Sequence, residues 1–290
     1  MGSYSIKELE TLSGIKAHTI RIWEKRHRLI IPKRTATNIR YYSDDDLKRI
    51  INVSLLNNHG VKISRIADMS DQEIQSEIVE LTSSRTDVDL FIDQLIISMI
   101  DMEEEKFEKM LSHLIMKFGF EKTVLEVVYP FMEKIGILWQ AGNINPAQEH
   151  FISNLVRQKL IVAIDSLPFP GKDATRAILF LPENELHDIA LLFDLYIMKS
   201  MGMKTYYLGQ HLPYSNLKSV CEIHHPRYLV TSLTVSAKPQ RTIQYIQSIL
   251  SEIPQVTLLV SGQFSQKLGL ESPKLKFFKN STDLRAILTN

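Results

Sequence analysis

The stretch from Arg176 to Ala190, RAILFLPENELHDIA, decides the fold of the C-terminal part of this 290-residue chain. Its first six residues are an apolar run that predicts a buried strand, and a helical pattern follows from about residue 188 to 201. A polar loop between a strand and a helix is where open α/β sheets bind ligands. His187 on this loop could bind a metal ion while Glu185 accepts its second ring N–H. Taken alone, the loop favours an ordinary surface histidine.

Strand and helix patterns alternate from this stretch to the C-terminus. Strands are predicted at 176–181, 204–208, 228–233, 257–261 and about 275–278, and helices at 188–201, 213–224, 239–253 and the C-terminal end. This alternation predicts a doubly wound parallel sheet covered on both faces, in an α/β domain spanning residues 172–290. The sequence has neither a Gly-x-Gly-x-x-Gly after the first strand nor a Walker A motif, so NAD and ATP are poor candidates.

Four helical patterns precede the α/β domain, at about 87–100, 103–117, 121–139 and 145–166. Short breaks separate them, at Asp101-Met102, at Gly119 and at 141–143, so an up-down four-helix bundle is predicted at 87–168. Pro130 should kink the third helix or mark a break in it. Residues 71–86 predict a capped helix followed by a linker, and the linker is assigned to 76–86.

The first fifty residues are basic, with eleven Lys and Arg against six acids, whereas residues 71–150 hold sixteen acids against six bases. This asymmetry predicts a nucleic-acid-binding end. Ser5 and Glu8 form a capping box, and two short helices joined at Ser13-Gly14 predict an all-α winged helix-turn-helix domain at 1–75, with a wing at 33–42. The early positions of the second helix should contact base edges. These positions are Lys16, His18, Thr19 and Arg21.

Composition bounds the remaining possibilities. A single cysteine, Cys221, fits a reducing cytoplasm, and the chain has neither a signal-like N-terminus nor an apolar run long enough for a bilayer. We therefore expect a cytoplasmic protein without membrane contact. No nucleophile or acid–base constellation stands out, so we do not expect an enzyme.

The basic end resembles the MerR-type winged helix-turn-helix domain over about residues 4–70. Three blocks occur in the family's order: TIRIWEKR from Thr19, Pro32-x-Arg34-Thr35, and NIRYYS from Asn38. The resemblance implies a homodimer that reads an inverted repeat in double-stranded operator DNA. It places Arg40 and Tyr41 on the phosphate backbone, and Arg34 belongs to the same DNA-binding set. Trp23 is predicted to be a core residue. The motif with Trp at this position, where many members have Tyr, resembles the branch of the family that is fused to a cobalamin-binding module.

Two further motifs resemble that module. Trp139, nine intervening residues and Glu149-His150 resemble the signature of helical caps in cobalamin-dependent transcription factors. The resemblance implies that Trp139 shields the upper face of the corrin and that Glu149, followed by His150, hydrogen-bonds the upper ligand. Light-responsive members have a histidine just after the Trp, where this chain has Gln140, a difference that argues against a light-driven switch of axial ligand.

The second motif begins on the loop of His187. Glu185-x-His187-x-x-Ala190 is followed after forty-one residues by Ser232-Leu233-Thr234 and after twenty-seven more by Gly262-Gln263. This spacing resembles the cobalamin-binding pattern. It implies His187 as the lower axial cobalt ligand with Glu185 behind it. It also implies a channel for the nucleotide tail, bordered by Ser232, Thr234 and Gly262.

We therefore expect a transcriptional regulator whose sensor binds adenosylcobalamin or methylcobalamin and controls association into dimers or higher oligomers, and so operator binding. Ala190 and Gln263 stand where the pattern has glycines. They leave open an alternative, in which the module has lost cobalamin and serves for oligomerisation, for partner binding or for another ligand. A corrinoid enzyme subunit is a third hypothesis, which does not explain the basic end.

Overall fold

The computed structural model describes residues 3–84, 88–140, 145–234 and 239–289. The chain divides into two compact units, Met1–Leu155 and Val156–Asn290. Within the described residues no helix has both the length and the hydrophobicity to cross a bilayer.

The N-terminal part of the first unit is a winged helix-turn-helix domain. Its helices are α1 (Ile6–Ser13), α2 (Ala17–His27), α3 (Asp44–Asn58), α4 (Ile63–Asp68) and α5 (Asp71–Ser84), and its wing is an antiparallel hairpin of β1 (Lys33–Arg34) and β2 (Arg40–Tyr41). The predicted capping box is present, since Ser5 and Glu8 exchange hydrogen bonds at the start of α1. Gly14 ends that helix with a left-handed backbone (φ +71°), which glycine adopts without a steric cost. The predicted helices, turn and wing are thus confirmed.

Helix α3 is the centre of this part of the unit. Eight of its residues are buried, and it packs against α1, α5 and the next helix, α6 (Val88–Ile100). Trp23 is also buried, as predicted for a core residue. Helix α5 runs to Ser84 and so includes most of the segment 76–86 that was assigned to a linker; residues 85 and 86 lie outside the described ranges.

The helical bundle continues with α7 (Glu104–Phe118), α8 (Phe120–Thr123), α9 (Tyr129–Gln140) and α10 (Pro146–Asp165). One π-helical turn, Val124–Val128, joins α8 to α9. Pro130 follows this turn, and because proline lacks an N–H and clashes with the preceding turn, the wider π turn accommodates it. The irregularity predicted at Pro130 is therefore found just before it. The break predicted at 141–143 lies outside the described residues.

The α/β part of the second unit holds a five-stranded sheet in the order β4-β3-β5-β6-β7, with every neighbouring pair parallel. The strands are β3 (Arg176–Pro182), β4 (Lys204–Leu212), β5 (Tyr228–Ser232), β6 (Thr257–Ser261) and β7 (Leu275–Phe277). The helices are α11 (Ile189–Ser200), α12 (Tyr214–His224), α13 (Pro239–Glu252) and α14 (Ser281–Thr289). The predicted doubly wound parallel sheet is confirmed.

The two faces of the sheet carry different helices. Ile178, Leu229 and Leu258 share one core cluster with buried residues of α12 and α13. Helix α11 packs on β3 and β5 and contacts α14, so these two helices cover the opposite face. Because side chains alternate along a strand, Ser232 and its register partner Ser261 lie on the α11 face.

Candidate functional site

The loop between β3 and α11 is organised by Glu185, whose side chain is buried. Its Oε1 accepts hydrogen bonds from the backbone N–H groups of Leu186 (3.0 Å) and His187 (3.1 Å), and it lies 2.6 Å from His187 Nδ1. Its Oε2 accepts the backbone N–H of Thr234 at 3.0 Å. One carboxylate thus fixes the ring of His187 and ties its loop to the loop after β5.

This arrangement determines which ring nitrogen of His187 could bind a metal ion. The imidazole is 62% exposed, and its Nδ1 is engaged by Glu185, so Nε2 is the nitrogen that a metal ion would use. Burial by itself raises the pKa of Glu185, but hydrogen bonds from the side chain and backbone of His187 outweigh it and lower the pKa below its usual value. The carboxylate of Glu185 therefore acts as the acceptor in these contacts.

Two residues at the carboxyl end of β4 hold the loop from the other side. Gln210 Nε2 donates to the Leu186 carbonyl at 2.6 Å, and the Asn184 N–H donates to His211 Nδ1 at 3.0 Å. His211, which carries no role in the sequence pattern, is therefore part of the frame around His187. Both contacts join residues more than twenty positions apart in the sequence, so no local spacing predicts them.

Asp188, next to His187, forms the other anchor. Arg157 of α10 donates to its carboxylate from Nη2 (2.8 Å) and Nε (3.2 Å to each oxygen), and Tyr207 OH lies 3.4 Å away. The Asp188 side chain is only 9% exposed. This bidentate pair fixes the start of α11 in the same unit, and sequence reasoning did not identify it.

The loops after β5 and β6 meet at the predicted tail channel. Gly262 has φ +89°, and a Cβ there would lie 2.3 Å from the Leu233 carbonyl oxygen. The glycine is thus required by the approach of two backbone segments within the protein. Ser232 and Ser261, both buried, each have an Oγ without a hydrogen-bond partner. These hydroxyls fit a polar ligand group, and Ser261 was missed because only the residues of the pattern were considered.

The two departures from the glycine pattern have different surroundings. Ala190 is half-buried in the first turn of α11, whereas Gln263 is exposed at the start of a 3₁₀ turn, Gln263–Lys267. Because Gln263 is exposed, its side chain can point into the solvent. Gln263 therefore does not by itself fill the space between the sheet and α11.

The motif of the first unit lies at the adjoining ends of α9 and α10. Trp139 is 46% exposed, which is unusual for the largest apolar side chain and leaves its ring face available. Glu149 lies in the first turn of α10, and its Oε2 is 2.8 Å from Nδ1 of the neighbouring His150. The structure therefore places all three on the surface of this unit, with Glu149 and His150 paired.

The predicted DNA-binding residues lie on α2 and the wing. Lys16, His18 and Arg21 are exposed and Thr19 is half-buried. Lys16 occupies the N-cap position rather than the helix, and its Nζ is 3.0 Å from Glu10 Oε1. The exposed residues of α2 thus include basic side chains beside the apolar Ile22, which is 44% exposed.

In the wing, Arg34 Nη1 donates to Asn38 Oδ1 at 2.6 Å within the hairpin. Arg40 and Tyr41 are half-buried. Glu24 of α2 joins the helix to the wing, because its Oε1 accepts Tyr42 OH at 2.5 Å and its Oε2 lies 3.7 Å from Arg40 Nε. Glu24 was not among the predicted residues; it fixes the wing relative to α2.

No described group of three or more His, Cys, Asp or Glu side chains is suited to hold a metal ion. A corrin-bound cobalt needs only one protein ligand, since the macrocycle supplies four nitrogens.

Comparisons with known proteins agree with this division of the chain. Residues 4–73 match the MerR HTH family regulatory protein model, and residues 91–163 match the B12 binding domain model. The HTH-type transcriptional repressor CarH of Myxococcus xanthus is 24% identical over 81% of this chain and 80% of its own length. CarA of the same organism is 23% identical over 89% of this chain and 85% of its own.

A solved structure shares the fold over about two thirds of the chain. The Methanosarcina barkeri monomethylamine corrinoid protein covers 68% of this chain and 96% of its own, with a TM-score of 0.55 and 15% identity. The chain is thus a DNA-binding transcriptional regulator that joins a MerR-type DNA-binding domain to a B12-binding-type sensor module, and it is similar to CarH and CarA.

Proposed function

We propose that this regulator binds cobalamin through His187 and that binding changes its self-association and its affinity for operator DNA. The observation that carries the proposal is the hydrogen bond that His187 Nδ1–H donates to Glu185 Oε1, which orients Nε2 for coordination. Cobalamin would supply a cobalt centre at which ligands can exchange. The names of the relatives, both repressors, favour repression as the outcome.

The other predicted contacts remain part of the proposal. Ser232 has an unsatisfied hydroxyl on the α11 face, which suits the nucleotide tail. Thr234 uses its backbone N–H to hold Glu185, so it supports the ligand histidine as well as bordering the tail. Trp139, Glu149 and His150 are proposed to contact the upper side of the corrinoid, on the strength of their family signature.

For DNA binding, we propose that α2 reads bases through Lys16, His18, Thr19 and Arg21. The wing would hold phosphates through Arg34, Arg40 and Tyr41. Recognition-helix residues near the helix N-terminus reach base edges in this class of domain, whereas wing contacts fix the register on the duplex. A homodimer would match an inverted-repeat operator.

The test is a titration of the full chain with methylcobalamin and adenosylcobalamin, followed in visible absorbance and, in parallel, by DNA mobility shift. Coordination by His187 should change the visible spectrum, and His187→Ala should abolish that change. The exposed His225→Ala is a matched control and should bind as the parent does. Equal operator affinity with and without saturating cobalamin would contradict the regulatory part.

A second candidate is a module that keeps the fold without the cofactor. The observation that favours it is Gly262, because the backbone of Leu233 explains this glycine without any ligand. On this hypothesis neither cobalamin changes the absorbance, and His187→Ala leaves operator binding and oligomeric state as they were. The same titration therefore decides between the two.

A further inference from the structure

The layer between the sheet and α11 holds polar groups without hydrogen-bond partners. Ser232 and Ser261 end the neighbouring strands β5 and β6, are paired in register, and each leave a buried Oγ unsatisfied on this face. A buried hydroxyl without a partner costs free energy of folding, so two side by side call for a bound water or a polar ligand group that satisfies them.

Asp194 adds a carboxyl group to the same layer. It is 6% exposed, and its Oδ2 has no hydrogen-bond partner. Helical spacing places it between Leu191 and Ile197, with Met198 one turn further, and these three side chains are 0% exposed. Asp194 therefore lies at the centre of the buried side of α11, which packs on β3 and β5.

The three groups lie at different depths. Ser232 and Ser261 are at the carboxyl edge of the sheet, where the His187 loop also lies. Helix α11 starts at this edge and runs back along the strands, so Asp194, five residues from its start, lies roughly 7–8 Å further in. The three polar side chains are thus arranged from the carboxyl edge of the sheet inwards, along the path that a ligand entering from this edge would take.

The protonation state of Asp194 decides what it can bind. Burial raises the pKa of Asp194 well above its usual range, so the carboxyl group keeps its proton. A protonated carboxyl presents one donor and one acceptor side by side. That pair matches an amino group next to a ring nitrogen, as on the edge of a 6-aminopurine.

We propose that this layer receives the lower base of a corrinoid and that Asp194 and Ser261 select a base of the 6-aminopurine type. The inference rests on the proposed function, in which His187 would hold the cobalt of the corrinoid and the lower base would be left to bind elsewhere in the protein. Dimethylbenzimidazole, the base of cobalamin, offers one ring-nitrogen acceptor and no donor, so it would leave most of the three groups unsatisfied. An adenine base can accept from a serine hydroxyl and pair with the carboxyl.

The experiment compares three methyl corrinoids on the full chain by absorbance titration or calorimetry: the adeninyl cobamide, methylcobalamin and methylcobinamide, which lacks the nucleotide tail. We expect the adeninyl form to bind at least about tenfold more tightly than methylcobalamin, a ratio that corresponds to one or two well-made hydrogen bonds. Methylcobinamide should bind more weakly than the adeninyl form.

Variants separate base selection from folding. Asp194→Leu and Ser261→Ala should each bring the affinity ratio close to one, whereas Asp194→Asn should keep it, because an amide also presents a donor beside an acceptor. Thr231→Val is the matched control. Its Oγ1 is likewise buried without a partner, but it alternates with Ser232 and so lies on the opposite face of β5. The ratio should not change.

Two results would overturn the inference. Affinities of the parent for the two complete corrinoids within twofold of each other, or a preference that survives Asp194→Leu, would show that the layer does not read the base. In either case the proposed function stands. Failure of all three corrinoids to bind would overturn the proposed function and the base selection together.

Discussion

Glu185 is the residue on which the candidate site depends most. It accepts three backbone N–H groups and one imidazole nitrogen, and it links the loops after β3 and β5. A carboxylate has two oxygens with about four acceptor positions, and the four contacts of Glu185 involve both of its oxygens. A side-chain amide has one oxygen only, so it cannot serve the same set of donors.

Glu185→Gln should therefore weaken methylcobalamin binding by about 10–100-fold, the usual effect of losing the group that orients a ligand histidine. The dissociation constant from the absorbance titration measures this. Glu183→Gln, an exposed glutamate two positions earlier, is the matched control and should leave the constant unchanged. Parental affinity in Glu185→Gln would mean that His187 is not the ligand or needs no orientation.

The buried carboxyl group of Asp194 is expected to lower the stability of the folded chain as the pH rises. Because burial raises its pKa, the folded chain keeps this proton over a pH range in which the unfolded chain has lost it. Stability should therefore fall as the pH rises across that range. Asp194→Asn carries no ionisable proton, so it should be more stable near neutral pH by about 1–3 kcal/mol.

Urea unfolding at a series of pH values measures this effect. The difference between the parent and Asp194→Asn should shrink as the pH is lowered below the range in which an unfolded aspartate titrates. Asp173→Asn changes an exposed aspartate in the same unit and should follow the parent at every pH. A pH-independent difference would show that Asp194 is charged or solvated in the folded state.

At the scale of elements, α2 and the wing are expected to contribute to DNA binding in different ways. Arg21 is exposed on α2, whereas Arg40 is half-buried on β2 beside Glu24. A base contact carries sequence information, and a phosphate contact carries charge without it. The two arginines therefore predict distinguishable defects.

Arg21→Ala should cost about 1–3 kcal/mol on the operator and little on unrelated DNA. Arg40→Ala should weaken binding to both and reduce the slope of log K against log salt by about one. Mobility shifts over a salt series, on operator and scrambled duplexes, measure both. Arg65, exposed on α4 and paired with Glu77, is a control that should change neither. Identical defects in Arg21→Ala and Arg40→Ala would contradict the assignment.

The same elements show how far sequence patterns reach. Strands β3, β5 and β6 were predicted within one residue at each end, because continuous apolar runs mark buried parallel strands. Strand β4 continues four residues beyond its predicted end at 208. It passes through Gly209 (φ +74°) with register shifts against β3, and a polar, glycine-containing segment does not signal a strand.

Residues of the candidate site could be predicted from the sequence only where they belong to a known motif. Glu185, His187 and Ser232 follow from spacing within known signatures. Arg157 and His211 do not, because their contacts join distant parts of the chain through side-chain directions that local periodicity does not encode. Asp194 is a third case: a charged residue within a buried helical pattern is visible in the sequence, but its lack of a partner is a property of the packed structure.

At the scale of the whole molecule, the DNA-binding domain and the first bundle helix share one compact unit. Helix α3 packs on α1 of the DNA-binding domain and on α6 of the bundle. Between α3 and α6, Gln94 Nε2 donates to Asn52 Oδ1 at 3.2 Å, and both residues are buried. At the edge, Lys48 Nζ lies 2.7 Å from Asp101. A shift of α6 must therefore move α3 or break these contacts.

This connection predicts a coupling mutant. If cobalamin changes operator affinity through the bundle, Gln94→Leu should change the ratio of operator dissociation constants with and without methylcobalamin by roughly 2–30-fold, the range for residues that couple two sites. Cobalamin affinity in the absence of DNA should stay near that of the parent, because Gln94 is not among the residues proposed to contact the corrinoid. Mobility shifts with and without methylcobalamin, together with absorbance titrations, measure both quantities.

Lys48→Met is the matched control for Gln94→Leu. It removes the partly exposed ion pair at the same interface, and such pairs contribute about 0–1 kcal/mol, so its effect on the ratio should be the smaller of the two. Equal effects would mean that the charge at the edge, and not the buried amide pair, transmits the signal. An unchanged ratio in both variants would place the coupling in subunit association instead, since oligomerisation can pair DNA-binding domains without any strain at α3.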